Sequence, residues 1–383
     1  MKRSNVSAAL LVALLGSAAA SSPVTASDLP TTGRAWLQVS AANGSSTCGI
    51  QRDHTLWCWG WNQYGQLGQG DHVDRSVPTQ VGSDRDWLSV QMGEWHTCAI
   101  RLDDTLWCWG LNDLGQLGLG DTHYRKIPQQ VGVQTWANVS PGFEHTCGVQ
   151  TDHTAWCWGY NTEGRLGTGD REDRLIPAQV GSDTDWTRAS VGHAFSCARK
   201  IGGTIWCWGD NGVGQLGTGE GAQATSPVQE GSHSNWTGFN AGFAHTCALK
   251  SDETLWCWGW NEYGQLGLGD VEDRTQPTQV GADTDWRRVD PGRLHTCGVR
   301  TDRSAWCWGY NQQGALGVGN YTTRKIPVPV GRSATWRTIS PGGLHSCGLT
   351  RAHRLFCWGS NHEGQVGVGR GHGRGRFSLP QRV

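Results

Sequence analysis

The chain has 383 residues and a formal net charge of −1, with 56 Gly, 23 Trp, 14 Cys and only 17% charged residues. Abundant Trp, Cys and aliphatic residues at near-zero net charge exclude a disordered chain, and the neutral balance argues against a nucleic-acid-binding protein. Gly and β-forming residues dominate over Ala, Glu and Lys, which argues against a long helical fold. No run of 18 or more apolar residues follows the N-terminus, so we expect no membrane-embedded bundle.

Residues 1–26 have the pattern of a secretory signal peptide. Lys2 and Arg3 precede an apolar stretch at 8–15, and cleavage is expected after Ala20 or Ala26. The apolar stretch is too short to span a membrane as a helix, and residues 27–35 would form a short lead into the folded domain. We therefore expect a secreted or periplasmic protein without membrane insertion, in an oxidising compartment where cysteines pair.

Residues 36–383 consist of seven repeats of about 50 residues, which predicts a single domain. Each repeat reads W-x-x-V, then G-x-x-H-T-C, a short turn, L-W-C-W-G-x-N-x-x-G-Q-L-G-x-G-D and P-x-x-V. The β-type residues on both sides of the polar turn indicate a hairpin, and W-x-x-V and P-x-x-V each add a strand. This pattern predicts an all-β, seven-bladed β-propeller with four-stranded antiparallel blades. We expect the last segment, residues 380–383, to complete the blade that contains Trp36.

The two cysteines of each repeat lie ten residues apart, one on each hairpin strand, with the turn centred midway between them. They therefore face each other across adjacent antiparallel strands, near the separation that a disulfide requires. Metal binding by these cysteines and nearby histidines is the alternative, but the spacing lacks the C-x-x-C pattern of zinc sites. We predict one disulfide per blade: Cys48–Cys58, Cys98–Cys108, Cys147–Cys157, Cys197–Cys207, Cys247–Cys257, Cys297–Cys307 and Cys347–Cys357.

Most other unusual residues also recur in every repeat, which favours structural roles. Twenty of the 23 Trp open a repeat or flank its second Cys, and we expect them to fill the core between blades. The recurring histidines of G-x-x-H-T indicate a structural hydrogen bond rather than catalysis. The D-x-x-D loops, such as Asp71 and Asp74, are interpreted as turn formers rather than a calcium site. Since no catalytic or phosphate-binding motif is present, we expect a protein that is not an enzyme and needs no cofactor.

The positions that vary among the repeats are the candidate binding residues. The strand directions place the G-x-x-H loop and the residue after W-C-W-G at the same end of each blade. The three Trp outside the recurring positions all fall at this end, and an aromatic-rich surface is typical of protein or sugar recognition. The predicted binding residues are Trp61, Trp95, Phe143, Tyr160, His193, Phe243, Trp260, Arg293 and Tyr310.

The repeat closely resembles the regulator of chromosome condensation repeat. The residues that carry the resemblance are G-E-W-H-T at 93–97, L-W-C-W-G-L-N-D-L-G-Q-L-G-L-G-D at 106–121 and P-Q-Q-V at 128–131, and it extends over all seven repeats. It implies a seven-bladed propeller, and two Cys per repeat make the chain similar to exported bacterial members, which include a β-lactamase inhibitor. The pattern is broken at Ser46, Phe195 and Glu230, and residues 370–376 form an extra loop that is more simply a solvated insertion than an anion site.

The sequence therefore predicts non-catalytic recognition of an extracellular or periplasmic protein partner by a monomer, in the manner of an inhibitor or another binder. A lectin-like propeller is the alternative, with Trp61, Tyr160 and Trp260 stacking on sugar rings. An enzyme built on a propeller scaffold is a third hypothesis, for which no convergent acid–base set is present.

Overall fold

The computed structural model describes residues 35–219, 221, 223–331, 335–369 and 375–383. All regular secondary structure in these residues is β-strand. The expected signal peptide, most of the lead at 27–35 and residues 370–374 of the extra loop lie outside the described residues. Repeats are numbered 1 to 7 here by the residues that open them: Trp36, Trp87, Trp136, Trp186, Trp236, Trp286 and Trp336.

Each repeat contributes four strand segments that pair in chain order, always antiparallel. The strands of the first three repeats are β1 (Trp36–Ala41), β2 (Ser46–Gln51), β3 (Leu56–Gly60), β4 (Arg75–Gln80), β5 (Trp87–Met92), β6 (His96–Arg101), β7 (Thr105–Gly110), β8 (Arg125–Pro141), β9 (His145–Gln150), β10 (Ala155–Gly159) and β11 (Arg174–Gln179). The strands of the last four are β12 (Trp186–Val191), β13 (Phe195–Lys200), β14 (Ile205–Gly209), β15 (Ala224–Gln229), β16 (Trp236–Ala241), β17 (His245–Lys250), β18 (Leu255–Gly259), β19 (Arg274–Gln279), β20 (Trp286–Pro291), β21 (His295–Arg300), β22 (Ala305–Gly309), β23 (Arg324–Pro329), β24 (Trp336–Pro341), β25 (His345–Thr350), β26 (Leu355–Ser360) and β27 (Arg376–Arg382).

The seven repeats form six sheets, because the long strand β8 belongs to both repeat 2 and repeat 3 and joins them into one sheet. Its first part is the outer strand of repeat 2, and its second part is the first strand of repeat 3. The connection between Val131 and Trp136 is one residue shorter than the corresponding one between Val81 and Trp87. The shorter connection stays extended, so one sheet has seven strands and the other five have four.

A disulfide joins the two central strands in every repeat, as predicted. Cys48 and Cys58 are paired directly opposite each other in the register of β2 and β3, with their Cα atoms 4.1 Å apart. All seven predicted pairs form, and none of the 14 cysteines is free. The register of the hairpin therefore determines the disulfide pairing.

The first strands of all seven repeats line one central cavity of about 300 Å³, and the ring closes between repeats 7 and 1. The Trp36 amide donates to the His353 carbonyl over 3.0 Å, the contact that Trp87 makes with His54 at the next junction. The expectation that residues 380–383 complete the blade of Trp36 is wrong, because β27 pairs with β26 inside repeat 7. Repeat 1 already has its own fourth strand, β4, so closure comes from packing between complete sheets.

The core lies between consecutive repeats. The cysteines Cys48 and Cys58 of repeat 1 pack against Trp87 and Trp109 of repeat 2, and equivalent clusters recur around the ring. The Trp that open the repeats and those that follow the second Cys are at most 2% exposed, as expected. Burying side chains of this size supplies much of the stabilising apolar contact.

The six Trp that precede the second Cys are only half-buried, so the expectation that they fill the core is too strong. Trp107 illustrates the reason, since its indole N–H donates to Thr105 Oγ1 over 3.0 Å and its ring lies 4.0 Å from the Arg101 guanidinium. An indole N–H that bonds a hydroxyl, and a guanidinium that stacks on the ring, both have to lie near solvent at the edge of the blade. These Trp therefore cover the core rather than fill it.

The recurring histidines connect each repeat to the next, which confirms their structural role. His96 Nε2 lies 2.8 Å from Thr146 Oγ1, and that hydroxyl donates to the Gln116 carbonyl over 2.8 Å. Because the hydroxyl proton goes to the carbonyl, His96 Nε2 must be the donor to the hydroxyl. Complete burial lowers the pKa of His96 to about 3, so the ring is neutral. The same link to a hydroxyl of the next repeat is made by His145, His245, His295 and His345.

Candidate functional site

One end of each blade carries both variable segments, as the strand directions predict. The Trp61 amide donates to the Ser45 carbonyl over 3.0 Å, and the Trp260 amide donates to the Ala244 carbonyl over 2.9 Å. The equivalent bond joins the same two positions in the other five repeats. We call this end the loop face. It consists of the G-x-x loops and the four residues after each W-C-W-G.

Backbone hydrogen bonds bring the G-x-x loops of consecutive repeats together. The Phe243 amide donates to the Gly292 carbonyl over 3.2 Å, and the Arg293 amide donates to the Gly342 carbonyl over 3.1 Å. At the ring closure the Gly343 amide donates to the Ala42 carbonyl over 2.9 Å. The first variable residues of neighbouring loops therefore lie side by side.

Aromatic side chains form a continuous chain of ring contacts across the loop face. Consecutive ring centroids are 4.4 to 6.4 Å apart. Edge and tilted contacts at these separations are the favourable geometry for aromatic pairs. All the rings are half-buried, so each is held by its neighbours and still presents surface. We call this set the aromatic arc: Trp61, Tyr64, Trp95, Phe143, His193, Phe243, Trp260, Tyr263 and Tyr310.

The centre of the arc is a stack of three rings from repeats 3 to 5. His193 lies 4.4 Å from Phe143 and 4.5 Å from Phe243. Burial, with the nearby positive charges of Arg165 and Arg293, lowers the pKa of His193 to about 4. The ring is therefore neutral at pH 7, and the stack offers an uncharged surface.

Two Trp–Tyr pairs lie further along the arc. The sequence predicted the Trp of each pair as a binding residue but not the Tyr. Tyr64 meets Trp61 edge-on at 5.3 Å and 88°, and Tyr263 meets Trp260 at 5.5 Å and 86°. Both Tyr occupy the fourth position after W-C-W-G, which also varies among repeats. This variation could have identified them, but only the first position after the motif was considered. The pairs hold Trp61 and Trp260 in equivalent orientations on repeats 1 and 5.

Tyr160 is the one predicted binding residue without a ring contact to the arc. It stacks instead under the Arg165 guanidinium, at 4.8 Å. Arg165 replaces the Gln of G-Q-L-G and is almost fully buried; it pairs with Glu144 and Glu163 and donates to the His193 carbonyl over 3.1 Å. Burial raises the pKa of Glu144, and Arg165 opposes that shift. Arg165 thus connects Tyr160 to the backbone of His193 in the central stack.

Arg293 belongs to a cross-ring ion pair. Its Nη1 donates to Glu94 Oε1 over 3.0 Å, although the two residues are 199 positions apart in the chain, and its guanidinium also stacks on Phe243 at 4.9 Å. The Glu94 side chain is only 8% exposed, and burial raises its pKa to about 7 despite the opposing charge of Arg293. The nearby carboxylate of Glu144 raises the pKa further. Sequence reasoning placed Glu94 on this face but could not foresee its partner.

A pocket of about 620 Å³ opens beside this ion pair. The first variable loop residue is Gly44 in repeat 1 and Gly343 in repeat 7, where repeats 3 to 5 have rings. A Cβ on Gly343 would lie 2.2 Å from the Asn43 carbonyl oxygen, so no larger residue fits there. The pocket is lined by Asn43, Gly44, Ser45, Trp61, Glu94, Trp95, Arg293, Leu294, Gly343, Leu344 and Glu363.

The described residues of the loop face carry more acidic than basic groups. The arginine of these segments is Arg293, which is paired with Glu94, and the adjacent Arg165 pairs with Glu144 and Glu163. The guanidinium groups of Arg171 and Arg376 also donate to loop-face carbonyls, those of Thr162 and Gln312. The acidic side chains of the same segments are Glu94, Asp113, Glu144, Glu163, Asp210, Glu262 and Glu363. The face therefore combines aromatic surface with more carboxylates than guanidinium groups among the described residues, which favours positively charged groups on a binding partner.

The carboxylates of the D-x-x-D loops serve the turns. Asp74 accepts from the Asn62 amide over 2.7 Å, and Asp71 pairs with Arg75 at 2.6 Å. Within the described ranges, no group of three or more His, Cys, Asp and Glu side chains is arranged to hold a metal ion. The described residues also contain no helix long and apolar enough to cross a membrane.

The repeat is matched by two models of the regulator of chromosome condensation (RCC1) repeat. One matches residues 53–100, 103–149, 152–199, 252–299 and 304–349, which is more than half of the chain. The other matches 37–66, 87–116, 136–165, 186–215, 236–265, 289–315 and 336–365. Between them the matches reach all seven repeats.

Solved structures share the fold at low identity, and one curated protein matches a short segment of the sequence. Prp20p of Saccharomyces cerevisiae superposes with a TM-score of 0.78 at 19% identity, with 87% of each chain covered. Human WBSCR16 superposes with a TM-score of 0.74 at 18% identity, covering 83% of this chain and 88% of the other. The ultraviolet-B receptor UVR8 of Arabidopsis thaliana is 43% identical over 47 residues, which are 12% of this chain and 11% of the receptor.

Proposed function

The chain belongs to the regulator of chromosome condensation (RCC1) repeat family, and from this premise we propose that it is a non-catalytic binding protein whose loop face recognises a protein partner. The observation that carries the proposal is the aromatic arc, which joins rings from repeats 1 to 6 into one surface. Half-buried Trp and Tyr side chains that are already held in place lose little conformational entropy on binding, and they dominate the energetics of protein interfaces.

The compartment and the family both fit this proposal. Seven intramolecular disulfides are typical of an extracellular or periplasmic protein, because reducing compartments keep thiols unpaired. Prp20p, which shares the fold, is described with binding properties to Gsp1p and histones. The loop face also carries positions whose residues differ from repeat to repeat, as expected where a scaffold carries a specific surface.

The experiment measures partner binding by single-residue variants of the exported chain. Trp61→Ala and Trp260→Ala each remove one Trp from the arc, and truncation of an interface Trp typically costs 2 kcal/mol or more, about a 30-fold loss of affinity. A partner is first captured from the native exported proteins, and its Kd is then measured for each variant. Both variants should bind it at least about tenfold more weakly.

The matched control is Ile201→Ala. Ile201 is 61% exposed in the turn between β13 and β14, at the end of the blade opposite the loop face. This variant should bind the partner like the wild type. The glycan alternative is tested on a sugar array with the same proteins: saccharide binding that Trp61→Ala and Trp260→Ala remove, with no protein partner captured, would replace protein recognition by lectin activity.

A further inference from the structure

We propose that the pocket beside the Glu94–Arg293 ion pair receives a lysine or arginine side chain of the protein partner. This inference rests on the proposed function, and it assigns the chemistry of one part of the loop face. The pocket is large enough for such a side chain at about 620 Å³, and it is the place where two consecutive loops, those of repeats 7 and 1, lack a side chain at the first variable position.

The shape of the pocket follows from the order of the first variable residues around the ring. Phe143, His193 and Phe243 stack against one another and fill the space above repeats 3 to 5. Gly44 and Gly343 carry no side chain above repeats 1 and 7, because a Cβ would lie 2.5 Å from the Glu94 carbonyl oxygen at Gly44 and 2.2 Å from the Asn43 carbonyl oxygen at Gly343. The pocket is therefore lined by loop backbone and by the Glu94–Arg293 ion pair from the two flanking repeats.

The carboxylate of Glu94 is incompletely satisfied. Its Oε1 accepts from Arg293, whereas its Oε2 is buried and has no hydrogen-bond partner among the described residues. A buried carboxylate oxygen without a donor is costly, and a charged donor is the partner that relieves the cost best. A lysine ammonium or an arginine guanidinium in the pocket would supply such a donor once the Glu94 carboxylate rotates to turn Oε2 toward it.

The remaining walls favour a cation over an anion. Trp61 and Trp95 both line the pocket, and indole faces attract ammonium and guanidinium groups. Glu363 lines it too, so among the described residues that line the pocket two carboxylates face one guanidinium. That guanidinium belongs to Arg293, which is already paired with Glu94 and stacked on Phe243.

The experiment uses small cationic probes on the full, oxidised chain. Saturation-transfer difference NMR is recorded with Nα-acetyl-lysinamide and Nα-acetyl-argininamide, and in parallel with Nα-acetyl-glutaminamide and methyl N-acetylglucosaminide. The two cationic probes should show saturable binding, and the neutral amide and the sugar should not. Glu94→Gln and Trp61→Ala should each weaken the cationic probes by at least about fivefold.

Matched controls lie outside the pocket. Glu262→Gln makes the same charge change at an exposed position, and Leu102→Ala changes an exposed side chain at the opposite end of the blade. Both controls should bind the probes like the wild type, and the folding of each variant is checked by its thermal melt. The inference is overturned if the cationic probes do not bind, if they bind equally to Glu94→Gln, or if the sugar binds in their place.

The two proposals fail in different ways. Loss of partner binding in both Trp61→Ala and Trp260→Ala, without any binding of the cationic probes, would leave the loop face as the interface and remove only the cation pocket. Probe binding that depends on Glu94 and Trp61, together with a partner that ignores both Trp, would retain the pocket as a cation site but overturn both its assignment to the partner and the proposed function.

Discussion

His345 Nε2 lies 2.9 Å from Thr47 Oγ1, and this hydrogen bond joins residues 298 positions apart at the point where the ring closes. The Thr47 hydroxyl donates to the Gln365 carbonyl over 3.0 Å, which also accepts from Trp59 Nε1. The same arrangement links consecutive repeats elsewhere in the chain. Closure therefore needs no special element, because the first and last repeats meet as four other pairs of neighbouring repeats do.

Thr47→Val should destabilise the protein by about 1–3 kcal/mol, since it leaves a buried imidazole N–H without an acceptor. Thr246→Val is the matched control, because repeat 4 has Phe195 in place of His and Thr246 makes only the carbonyl bond, to Gln215. Urea unfolding of both variants measures the difference. Equal losses would show that the histidine link contributes nothing to closure.

Acid should unfold the protein through its buried histidines. The pKa of His96, His245 and His295 is lowered to about 3, and that of His345 to about 4, by burial in the folded state. Since the unfolded chain binds more protons between these values and 6.5, their contribution to stability is complete above pH 6.5 and is lost as the pH falls. Unfolding free energies measured from pH 7 to 4 should decrease.

A residue that another repeat already has at the histidine position can be used to test whether the buried histidines cause the loss of stability in acid. His345→Phe copies the residue that repeat 4 has at Phe195, so it should reduce the loss of stability on acidification. The variant is compared with the wild type as the change in unfolding free energy between pH 7 and 4. An unchanged acid dependence would place the titrating groups elsewhere.

Glu94→Gln should stabilise the free protein at pH 8. Burial raises the pKa of Glu94 from 4.5 to about 7, so the folded state favours its protonated form, and stability falls as the pH rises from 4.5 through 7. A shift of this size corresponds to roughly 3 kcal/mol, of which the glutamine variant should recover a part. Thermal melts at pH 5 and pH 8 check this, with the exposed Glu262→Gln as control. A lower melting temperature for Glu94→Gln at pH 8 would contradict it.

The disulfides should resist reduction until the protein unfolds, because all 14 cysteines are at most 1% exposed. Thiol labelling in the presence of reductant should follow the global unfolding transition. Replacing Cys247 and Cys257 together by Ala should cost up to about 2–3 kcal/mol for a loop of this length. Rapid labelling of the native protein would show that the hairpins open locally.

Some of these features follow from the repeat pattern, and others depend on the curvature of the ring. Cys48 and Cys58 could be paired from sequence because both lie on one hairpin, and Trp61 could be assigned to the loop face from strand direction alone. The contact between Glu94 and Arg293 could not be predicted, since it depends on how far repeats 2 and 6 lie apart across the ring. The closure was predicted wrongly because the sequence does not show whether P-x-x-V pairs with the hairpin before it or with the repeat that follows, and β27 pairs with the hairpin before it.

One substitution shows how a broken repeat pattern can be explained by packing. Glu230 stands where the other repeats have Val, and it is completely buried. Its Oε2 accepts from Trp236 Nε1 over 2.8 Å, and its Oε1 lies 3.0 Å from His233 Nδ1. The equivalent indole N–H of Trp87 has no partner among the described residues. The departure at Glu230 is thus a local polar cluster away from the loop face.

The central claim is that the aromatic arc is the partner-binding surface, and hydroxyl-radical footprinting of the protein with its captured partner tests it most directly. The account predicts that Trp61, Trp95 and Trp260 become protected from oxidation in the complex, while the exposed residues Leu102 and Ile201 at the opposite end react as in the free protein. Protection of Leu102 and Ile201, with the three Trp unchanged, would contradict it.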